Sequence, residues 1–341
     1  MTMRDVARAT GVSQSTVSRV LSGASTTVPI ADGTRERVLA AAARLGYRPN
    51  PLARGLRGLG TMLLGVIVRE ITDPFFAGAI EAVSIEASRR GYNVVLGHAH
   101  GRADEAMALW AVLEARHCDA ILILGDMSDQ PRLLDDLGGA HVPVVALWQG
   151  SRADGVASVS VDNGAGVRAV LDHLVELGHR RIAFVSGPRH GDIMEREEAY
   201  RAYLAGIDEP LRAGYVLRAA DGAQGGADAL AAMLDLPEPP TAIVASTDVL
   251  AIGVLHGAHT RALQVPHDVS VTGFDDIPLA AFAMPPLTTV RMPVREMVRA
   301  AVEMVIDEAG ARSRQSRPAR PVLQPSLVVR DSTSRPPSGA G

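Results

Sequence analysis

The sequence predicts an N-terminal all-α helix-turn-helix headpiece, followed by an α/β core of two doubly wound lobes. Two observations predict this fold class. Two short amphipathic helical patterns, separated by Gly11, fill the first 21 residues, and short β-rich runs alternate with helical stretches from Leu63 onward. Strands that alternate with helices indicate parallel sheets covered on both faces. With 341 residues, the chain is long enough for several domains with cores of their own.

The headpiece pattern begins with a capped helix and a glycine turn. Thr2 precedes the first helical residues and Asp5 stands at the third helical position, which makes an approximate capping box. Gly11 breaks this helix, and Ser13 is a natural N-cap for the next one. A third amphipathic pattern, RERVLAAAARLG, completes a three-helix headpiece.

The second helix is expected to have two chemically different faces. Three apolar residues at helical spacing predict its buried side: Val17, Val20 and Leu21. The opposite side carries four polar residues: Gln14, Ser15, Ser18 and Arg19. Their side chains can bond base edges or phosphates, whereas Ser15 and Ser18 have the alternative of being merely exposed helix serines.

Positive charge is concentrated near the N-terminus. Residues 1–60 hold nine arginines against three acidic residues, whereas the whole chain has a net charge of −4. The remainder of the chain is therefore acidic. A basic module on an acidic body is expected when one small domain contacts a phosphate backbone and the rest must avoid it.

Composition disfavours several other classes of protein. No run of about eighteen apolar residues occurs, and the N-terminus opens on a polar helix instead of a signal peptide, so we expect a cytoplasmic, nucleoid-associated protein with no membrane partner. The single cysteine, Cys118, is expected to be a buried, inert thiol. We expect no catalytic residue, metal or cofactor, because nucleophile elbows, P-loops, HExxH and CxxC spacings are absent.

Residues 3–21, MRDVARATGVSQSTVSRVL, closely resemble the headpiece of the lactose-repressor (LacI/GalR) family of bacterial transcription regulators. The resemblance continues through the linker and the whole core. It implies a sequence-specific DNA-binding regulator, most often a repressor, whose operator affinity is controlled by a small molecule between two lobes of a periplasmic-binding-protein fold. Because the C-terminal tail holds no leucine heptad, we expect a homodimer and no larger assembly.

The resemblance and the composition together divide the chain into domains. Residues 1–48 are expected to form the DNA-binding domain, 49–61 the hinge helix and linker, and 62–330 the effector-binding and dimerisation domain. Lobe 1 takes about 62–161 and 292–318, and lobe 2 takes about 162–291 and 319–330. The polar, proline-rich residues 331–341 are expected to be disordered.

The family pattern assigns roles to the headpiece residues. Base reading falls on Gln14, Ser15 and Arg19, and phosphate contacts fall on Ser13, Thr16 and Tyr47. Arg19 can pair bidentately with guanine, and Gln14 can pair with adenine.

The linker contains a short helical candidate, PLARGLR, which resembles the hinge helix of the family and includes Arg54, Leu56 and Arg57. In the family this leucine enters a base step from the minor groove, and such a wedge kinks the duplex. Packing of Leu56 against the first lobe is the alternative. Two wedges require a two-fold partner, so the operator DNA is expected to be an approximate palindrome.

Effector candidates follow the predicted strands, because ligands of open α/β sheets bind outside the carboxyl ends of the strands. They are Asp73, Phe75, Phe76, Trp148, His190, Asp192, Arg196, Asp221, Asp248 and Asp275. Carboxylates, an arginine and aromatic walls favour a neutral polyhydroxylated ligand, so we expect a sugar. Trp148 stands where many relatives carry aspartate, which argues against transferring a relative's ligand directly. Asp248 and Asp276 have the alternative role of helix caps or structural partners.

A solute-binding protein and a sugar-active α/β enzyme are the two alternative functions. A solute-binding protein would share the two lobes, but it would carry a signal peptide in place of the headpiece. A sugar-active α/β enzyme is the other. His98 and His100 share one face of a strand and suggest a metal, but two histidines without further ligands are more often ordinary cleft or surface residues.

Overall fold

The structure is a computed structural model that describes residues 1–22, 29–47, 60–126, 142–148, 156–207, 209–310 and 320–337. The chain divides into two compact units, Met1–Met62 and Leu63–Gly341. Within the described ranges, no helix is both long enough and apolar enough to cross a membrane.

In the described part of the first unit, three helices form the headpiece. Its helices are α1 (Met3–Thr10), α2 (Gln14–Ser22) and α3 (Asp32–Arg44). Its core consists of six buried apolar side chains: Val6, Val17, Val20, Val38, Ala41 and Ala42. Helices this short are marginal in water on their own, so this shared core stabilises them.

Local signals set the ends of the first two helices. Asp5 Oδ2 accepts hydrogen bonds from the Thr2 amide and hydroxyl at 2.8 and 2.9 Å. Gly11 ends α1 with a φ of 68°, a left-handed conformation that glycine adopts without a steric penalty. Ser13 Oγ accepts a hydrogen bond from the Thr16 amide at 3.1 Å and caps α2. The predicted capping box, glycine turn and N-cap are confirmed.

The second unit contains two sheets, one in each lobe. In chain order the strands are β1 (Leu63–Val68), β2 (Asn93–His98), β3 (Ala120–Leu124), β4 (Val144–Leu147), β5 (Ala157–Val161), β6 (Ile182–Ser186), β7 (Val216–Arg218), β8 (Ala242–Ala245), β9 (Ser270–Asp275), β10 (Thr288–Arg291), β11 (Val322–Leu323) and β12 (Ser326–Val328). The lobe 1 sheet has the order β11-β5-β4-β3-β1-β2, and the lobe 2 sheet has the order β12-β10-β9-β8-β6-β7. Paired strands run parallel, except that β12 is antiparallel to β10.

Helices cover both faces of the sheets. They are α4 (Pro74–Arg89), α5 (Ala103–Ala115), α6 (Asn163–Glu176), α7 (Gly191–Gly206), α8 (Ala223–Leu234), α9 (Asp248–Thr260) and α10 (Val294–Gly310), with a 3-10 turn at Pro278–Phe282. α10 packs against α4 and against β3, β4 and β5. The central strands β3 and β6 are buried along their whole length, as sheets covered on two faces require. The predicted class of two doubly wound lobes is confirmed.

The chain crosses between the lobes three times, and the last crossing lies later than predicted. It leaves lobe 1 after β5 and returns after β10. The sequence predicts that residues 319–330 belong to lobe 2, but Val322 and Leu323 pair in parallel with Ser160 and Val161 of the lobe 1 sheet. Only β12 belongs to lobe 2. This pairing joins residues far apart in sequence, so periodicity alone does not reveal it.

The expectation that residues 331–341 are disordered is wrong for the described part, residues 331–337. Ser332 is fully buried. Its hydroxyl donates to the Val271 carbonyl at 2.6 Å and accepts from the Thr288 amide at 2.8 Å. The fully buried His179 ring lies 2.8 Å from the Ser334 carbonyl oxygen. A polar tail is ordered here because its serines satisfy backbone groups that lobe 2 would otherwise bury unpaired.

The sole cysteine behaves as the sequence predicts. Cys118 is buried and forms no disulfide. Burial raises the pKa of its thiol to about 11, so the reactive thiolate is scarce at neutral pH.

Candidate nucleic-acid interface and ligand cleft

The second headpiece helix presents a polar face to solvent. Val17 and Val20 are buried, while Gln14, Ser15 and Arg19 are exposed. The spacing of these residues over 3.6-residue turns produces this division, because apolar and polar positions fall on opposite sides of α2. A helix of this kind can enter a major groove with its N-terminal side chains toward the bases.

The predicted phosphate-contacting residues are mostly engaged within the headpiece. Ser13 Oγ lies 2.7 Å from Ser15 Oγ and 2.8 Å from Thr16 Oγ1. Tyr47 is half-buried against the headpiece core. Three further predicted DNA contacts, Arg54, Leu56 and Arg57, lie outside the described residues.

A cavity of about 230 Å³ lies between the two lobes. Three of the predicted effector residues line it: Asp73 from lobe 1, with His190 and Asp221 from lobe 2. Each follows a strand of its sheet, as the rule for open α/β sheets predicts. A second hollow of about 620 Å³ is lined in part by Phe75 and Asp275.

Asp73 caps the helix that begins lobe 1's side of the cavity. Its Oδ1 accepts a hydrogen bond from the Phe75 amide at 2.9 Å, and its Oδ2 lies 3.8 Å from Arg69 Nη2. Burial raises the pKa of this carboxyl, and the negative charges of Asp221 and Asp192 raise it further. The two lobes therefore bring carboxylates close enough to repel one another.

Arg196 is almost wholly buried behind the cavity. Its Nε donates to Asn163 Oδ1 at 2.9 Å, and Nη1 donates to the Ser246 carbonyl at 2.6 Å and to Asp275 Oδ1 at 3.3 Å. The guanidinium also lies 3.6 Å from the centroid of the Phe274 ring. These contacts make Arg196 a structural tie within lobe 2.

Two carboxylates share the surroundings of that guanidinium. Asp192 Oδ2 lies 3.7 Å from Arg196 Nη2, and Asp192 Oδ1 is buried without a hydrogen-bond partner in the described part of the chain. Burial raises the pKa of Asp275 well above its usual value, although Arg196 acts in the opposite direction. Asp275 also has a φ of 118°, a strained conformation of the kind found at ligand sites.

The predicted aromatic walls are mostly part of the lobe 1 core. Phe76 and Trp148 are both buried, and they belong to one hydrophobic cluster. Phe75 packs edge-on against Trp148, with ring centroids 4.9 Å apart. Only Phe75 of the three is half-buried, so the structure places the Phe76 and Trp148 rings beneath the cleft and not on its surface.

Asp248 has the structural role that was its alternative, and its assignment to the ligand site is corrected. It is fully buried, its Oδ2 accepts from the Ile277 amide at 2.8 Å, and its Oδ1 accepts from Thr289 Oγ1 at 2.5 Å. Burial raises its pKa to about 7. Asp276 also has structural partners: its Oδ2 lies 2.6 Å from Arg291 Nε, and its Oδ1 lies 2.6 Å from Arg330 Nη2.

One residue that joins the lobes was missed by the sequence reasoning. Asp126 follows β3, and its carboxylate accepts a hydrogen bond from the Gly191 amide at the start of α7 in the other lobe. The signal was available, since a carboxylate directly after a buried strand stands at the cleft edge of the sheet. The helix N-terminus favours this negative charge.

The histidine pair engages carboxylates. His98 Nε2 lies 3.2 Å from Glu70 Oε1, and His100 Nδ1 lies 2.5 Å from Glu105 Oε2. The described residues contain no group of three or more His, Cys, Asp or Glu side chains able to hold a metal ion.

Comparisons with known proteins cover both units of the chain. The profile of the bacterial regulatory proteins of the lacI family matches residues 2–50, and that of a periplasmic binding protein-like domain matches residues 171–333. Catabolite control protein A of Priestia megaterium is 32% identical over 308 residues, which are 89% of this chain and 91% of that protein.

Solved structures of transcriptional regulators resemble this chain over nearly its whole length. A complex of the transcriptional regulator CelR with cellobiose has a TM-score of 0.71 at 31% identity, covering 97% of this chain and 99% of the other. The lac repressor dimer bound to operator and the anti-inducer ONPF has a TM-score of 0.85 at 28% identity, covering 98% and 99%.

Proposed function

This chain belongs to the lacI family of bacterial regulatory proteins and is a DNA-binding transcriptional regulator, and we propose that it represses transcription as a homodimer whose operator affinity is set by a sugar between its lobes. The observation that carries the proposal is the exposed side of α2, where Gln14, Ser15 and Arg19 stand opposite the buried Val17 and Val20. An α-helix fits the major groove of DNA, and side-chain amide and guanidinium groups on such a helix can hydrogen-bond to base edges.

An apolar strip on lobe 2 supports the homodimer. Leu279, Phe282 and Met284 lie at or beside the 3-10 turn and are 54%, 83% and 90% exposed. Large apolar side chains clustered on a surface mark protein interfaces, because water contact with them is unfavourable. We propose that a second copy of the chain covers this strip and thereby places two headpieces on an approximately palindromic operator.

The linker completes the proposed DNA contact. Arg54 and Arg57 would bind phosphates on either side of Leu56, which would enter a base step from the minor groove. An operator with an easily deformed pyrimidine–purine centre would then be preferred, because unstacking such a step costs less.

The cleft is the proposed effector site. Asp73, His190 and Asp221 line the cavity, and Phe75 and Asp275 line the adjacent hollow, so hydrogen-bonding groups and one aromatic face are available to a hydroxylated ring. The cellobiose complex of a relative supports a sugar as the class of ligand. Closure of the lobes on the ligand would alter the distance between the two linkers of the dimer, and a coupling of about 1–3 kcal/mol is typical of such control.

Selection of DNA from a randomised duplex library tests the proposal. We expect the full-length protein to enrich an approximate palindrome, with half-sites contacted by two copies of α2. Binding should weaken steeply with salt, because arginines on phosphates release counterions. Enrichment of no sequence, with or without a panel of sugars present, would refute the proposed function.

A further inference from the structure

The cavity between the lobes is lined by more carboxylates than cations. Glu70 and Asp73 come from lobe 1 and Asp221 comes from lobe 2. Among the described residues that line it, Arg69 supplies the one guanidinium, and His190 is the one other side chain able to carry positive charge. The lining is therefore electronegative at neutral pH.

The guanidinium of Arg69 is already held in place. Its Nη2 lies 3.8 Å from Asp73 Oδ2, and its central carbon lies 4.9 Å from the centroid of the Phe76 ring. The ion pair and the ring contact fix Arg69 at the lobe 1 wall. The separation of 3.8 Å is longer than a hydrogen bond, so Arg69 offsets the charge of Asp73 only in part, and it leaves Glu70 and Asp221.

Asp221 has the least compensation of the three carboxylates. Glu70 Oε1 accepts hydrogen bonds from the Thr72 amide and hydroxyl and lies 3.2 Å from His98 Nε2. Asp221 Oδ1 accepts one hydrogen bond, from the neighbouring Gly222 amide at 3.0 Å. Within the described ranges no arginine nitrogen lies within 4.0 Å of its carboxylate, so Asp221 faces the cavity as a net negative charge.

The buried arginine behind the cavity does not offset this charge. Arg196 is engaged by Asn163, the Ser246 carbonyl and Asp275. Asp192 adds a further carboxylate beside it, with a buried oxygen that lacks a hydrogen-bond partner in the described chain. The charge of Arg196 is therefore balanced within the wall and does not offset that of Asp221.

The size of the cavity limits the ligand. The cavity itself, without the adjacent hollow that Phe75 and Asp275 line, measures about 230 Å³, below the roughly 300–1,000 Å³ of pockets that hold drug-sized molecules. A single sugar ring is the scale of ligand that such a space suits.

We infer that the effector is a single-ring polyol carrying a positively charged amine, as an amino sugar does, and that Asp221 and Asp73 bind its ammonium group from opposite lobes. Binding then places a cation between carboxylates that repel one another, and it draws the lobes together. An anionic ligand, such as a sugar phosphate, meets the same carboxylates and is rejected. This inference rests on the proposed effector site.

Calorimetric titration of the full-length protein tests the charge of the ligand. The probes are glucosamine, galactosamine and mannosamine, each against its neutral hexose, with glucose 6-phosphate as the anion. We expect at least one amino sugar to bind ten times more tightly than its neutral hexose, and this preference to shrink at high salt. Glucose 6-phosphate should show no binding.

Two substitutions separated by seven residues make the test specific. Asp221→Asn should reduce the amino-sugar preference, which is the ratio of the amino-sugar affinity to the neutral-hexose affinity, to less than threefold. Asp228→Asn, on the exposed side of α8, should leave both affinities unchanged.

Several results would overturn the inference: equal or tighter binding of a neutral hexose or of the phosphate, no binding of any amino sugar, or a preference that survives Asp221→Asn. Operator selection from random DNA needs no sugar. A protein that enriches a palindrome and responds to neutral hexoses would therefore keep the proposed function and lose this inference.

Discussion

Helix α2 and the cleft between the lobes use polar side chains in opposite ways. On α2, Gln14, Ser15 and Arg19 are exposed on the side opposite a small apolar core. Behind the cleft, by contrast, Arg196 and Asp248 are buried and bonded to several groups of lobe 2. A polar residue of a ligand-binding lobe can therefore bond to buried protein groups behind the site and make no contact with the ligand. Substitutions in the two regions should therefore differ in whether they alter stability or recognition.

The largest expected effect is on Arg196. Arg196→Met should lower the free energy of unfolding of the core by about 3–5 kcal/mol, because Asp275 and Asp192 lose their buried cation. Arg201→Met is the matched control on the same helix, since its pair with Glu197 is exposed and its loss should cost about 1 kcal/mol or less. Equal losses in urea unfolding would contradict the structural role of Arg196.

The pH dependence of stability should reveal Asp248. Its pKa is raised from 3.8 to about 7 in the folded protein, so the folded state holds this proton more tightly than the unfolded state. Its contribution to stability is then full below about pH 4 and is lost as the pH rises to 7.

The measurement compares unfolding at pH 5 and pH 8 for the wild type and Asp248→Asn. The wild type should lose up to about 3 kcal/mol more than the variant over this interval, since one pKa unit corresponds to about 1.4 kcal/mol. Carboxyls that do not interact with Asp248 cancel in the difference, whereas the Asp248 charge also raises the pKa of Asp275, so the difference includes that coupling. Parallel pH profiles would show that Asp248 does not carry the raised pKa.

Substitutions on α2 should change the specificity of DNA binding. Arg19→Ala should remove about 1–3 kcal/mol of preference for the selected operator, while salt-sensitive binding to unrelated DNA persists. Arg37→Ala, on the exposed surface of α3, should weaken both complexes alike or neither. Competition gel shifts measure the ratio of the affinities for the selected operator and for unrelated DNA. An unchanged ratio in Arg19→Ala would show that Arg19 does not contact the bases.

The smallest effect should come from the cap of α2. Ser13→Ala removes the hydroxyl that accepts from the Thr16 amide, and it should destabilise the headpiece by about 1 kcal/mol. Hydrogen exchange of headpiece amides in the full-length protein reports this loss, with core amides as the internal reference. Headpiece exchange that does not change would show that the cap contributes no stability.

Sequence reasoning succeeds where structure is local. The headpiece depends on caps, a glycine turn and helical spacing, all read within a few residues, and Thr2, Asp5, Gly11 and Ser13 act as expected. The lobes follow from strand and helix alternation. These features need no knowledge of distant contacts.

The sequence predicts the cleft only in part, because contacts between residues far apart in the chain decide which polar side chains face it. Asp248 bonds to Ile277 and Thr289, which are 29 and 41 residues away. These bonds hold its carboxylate in the interior of lobe 2, away from the cleft. Ser332 reaches Val271 across 61 residues, which orders a tail that composition assigns to disorder. A single sequence does not encode such partners in its local pattern.

The central claim is that a ligand in the cleft controls the DNA-reading headpiece. Its most direct test is the dissociation constant for the selected operator, measured with and without a sugar that binds the core. We expect this constant to change by about 5–150-fold, the range that a coupling of 1–3 kcal/mol produces. Identical constants at saturating sugar would contradict it.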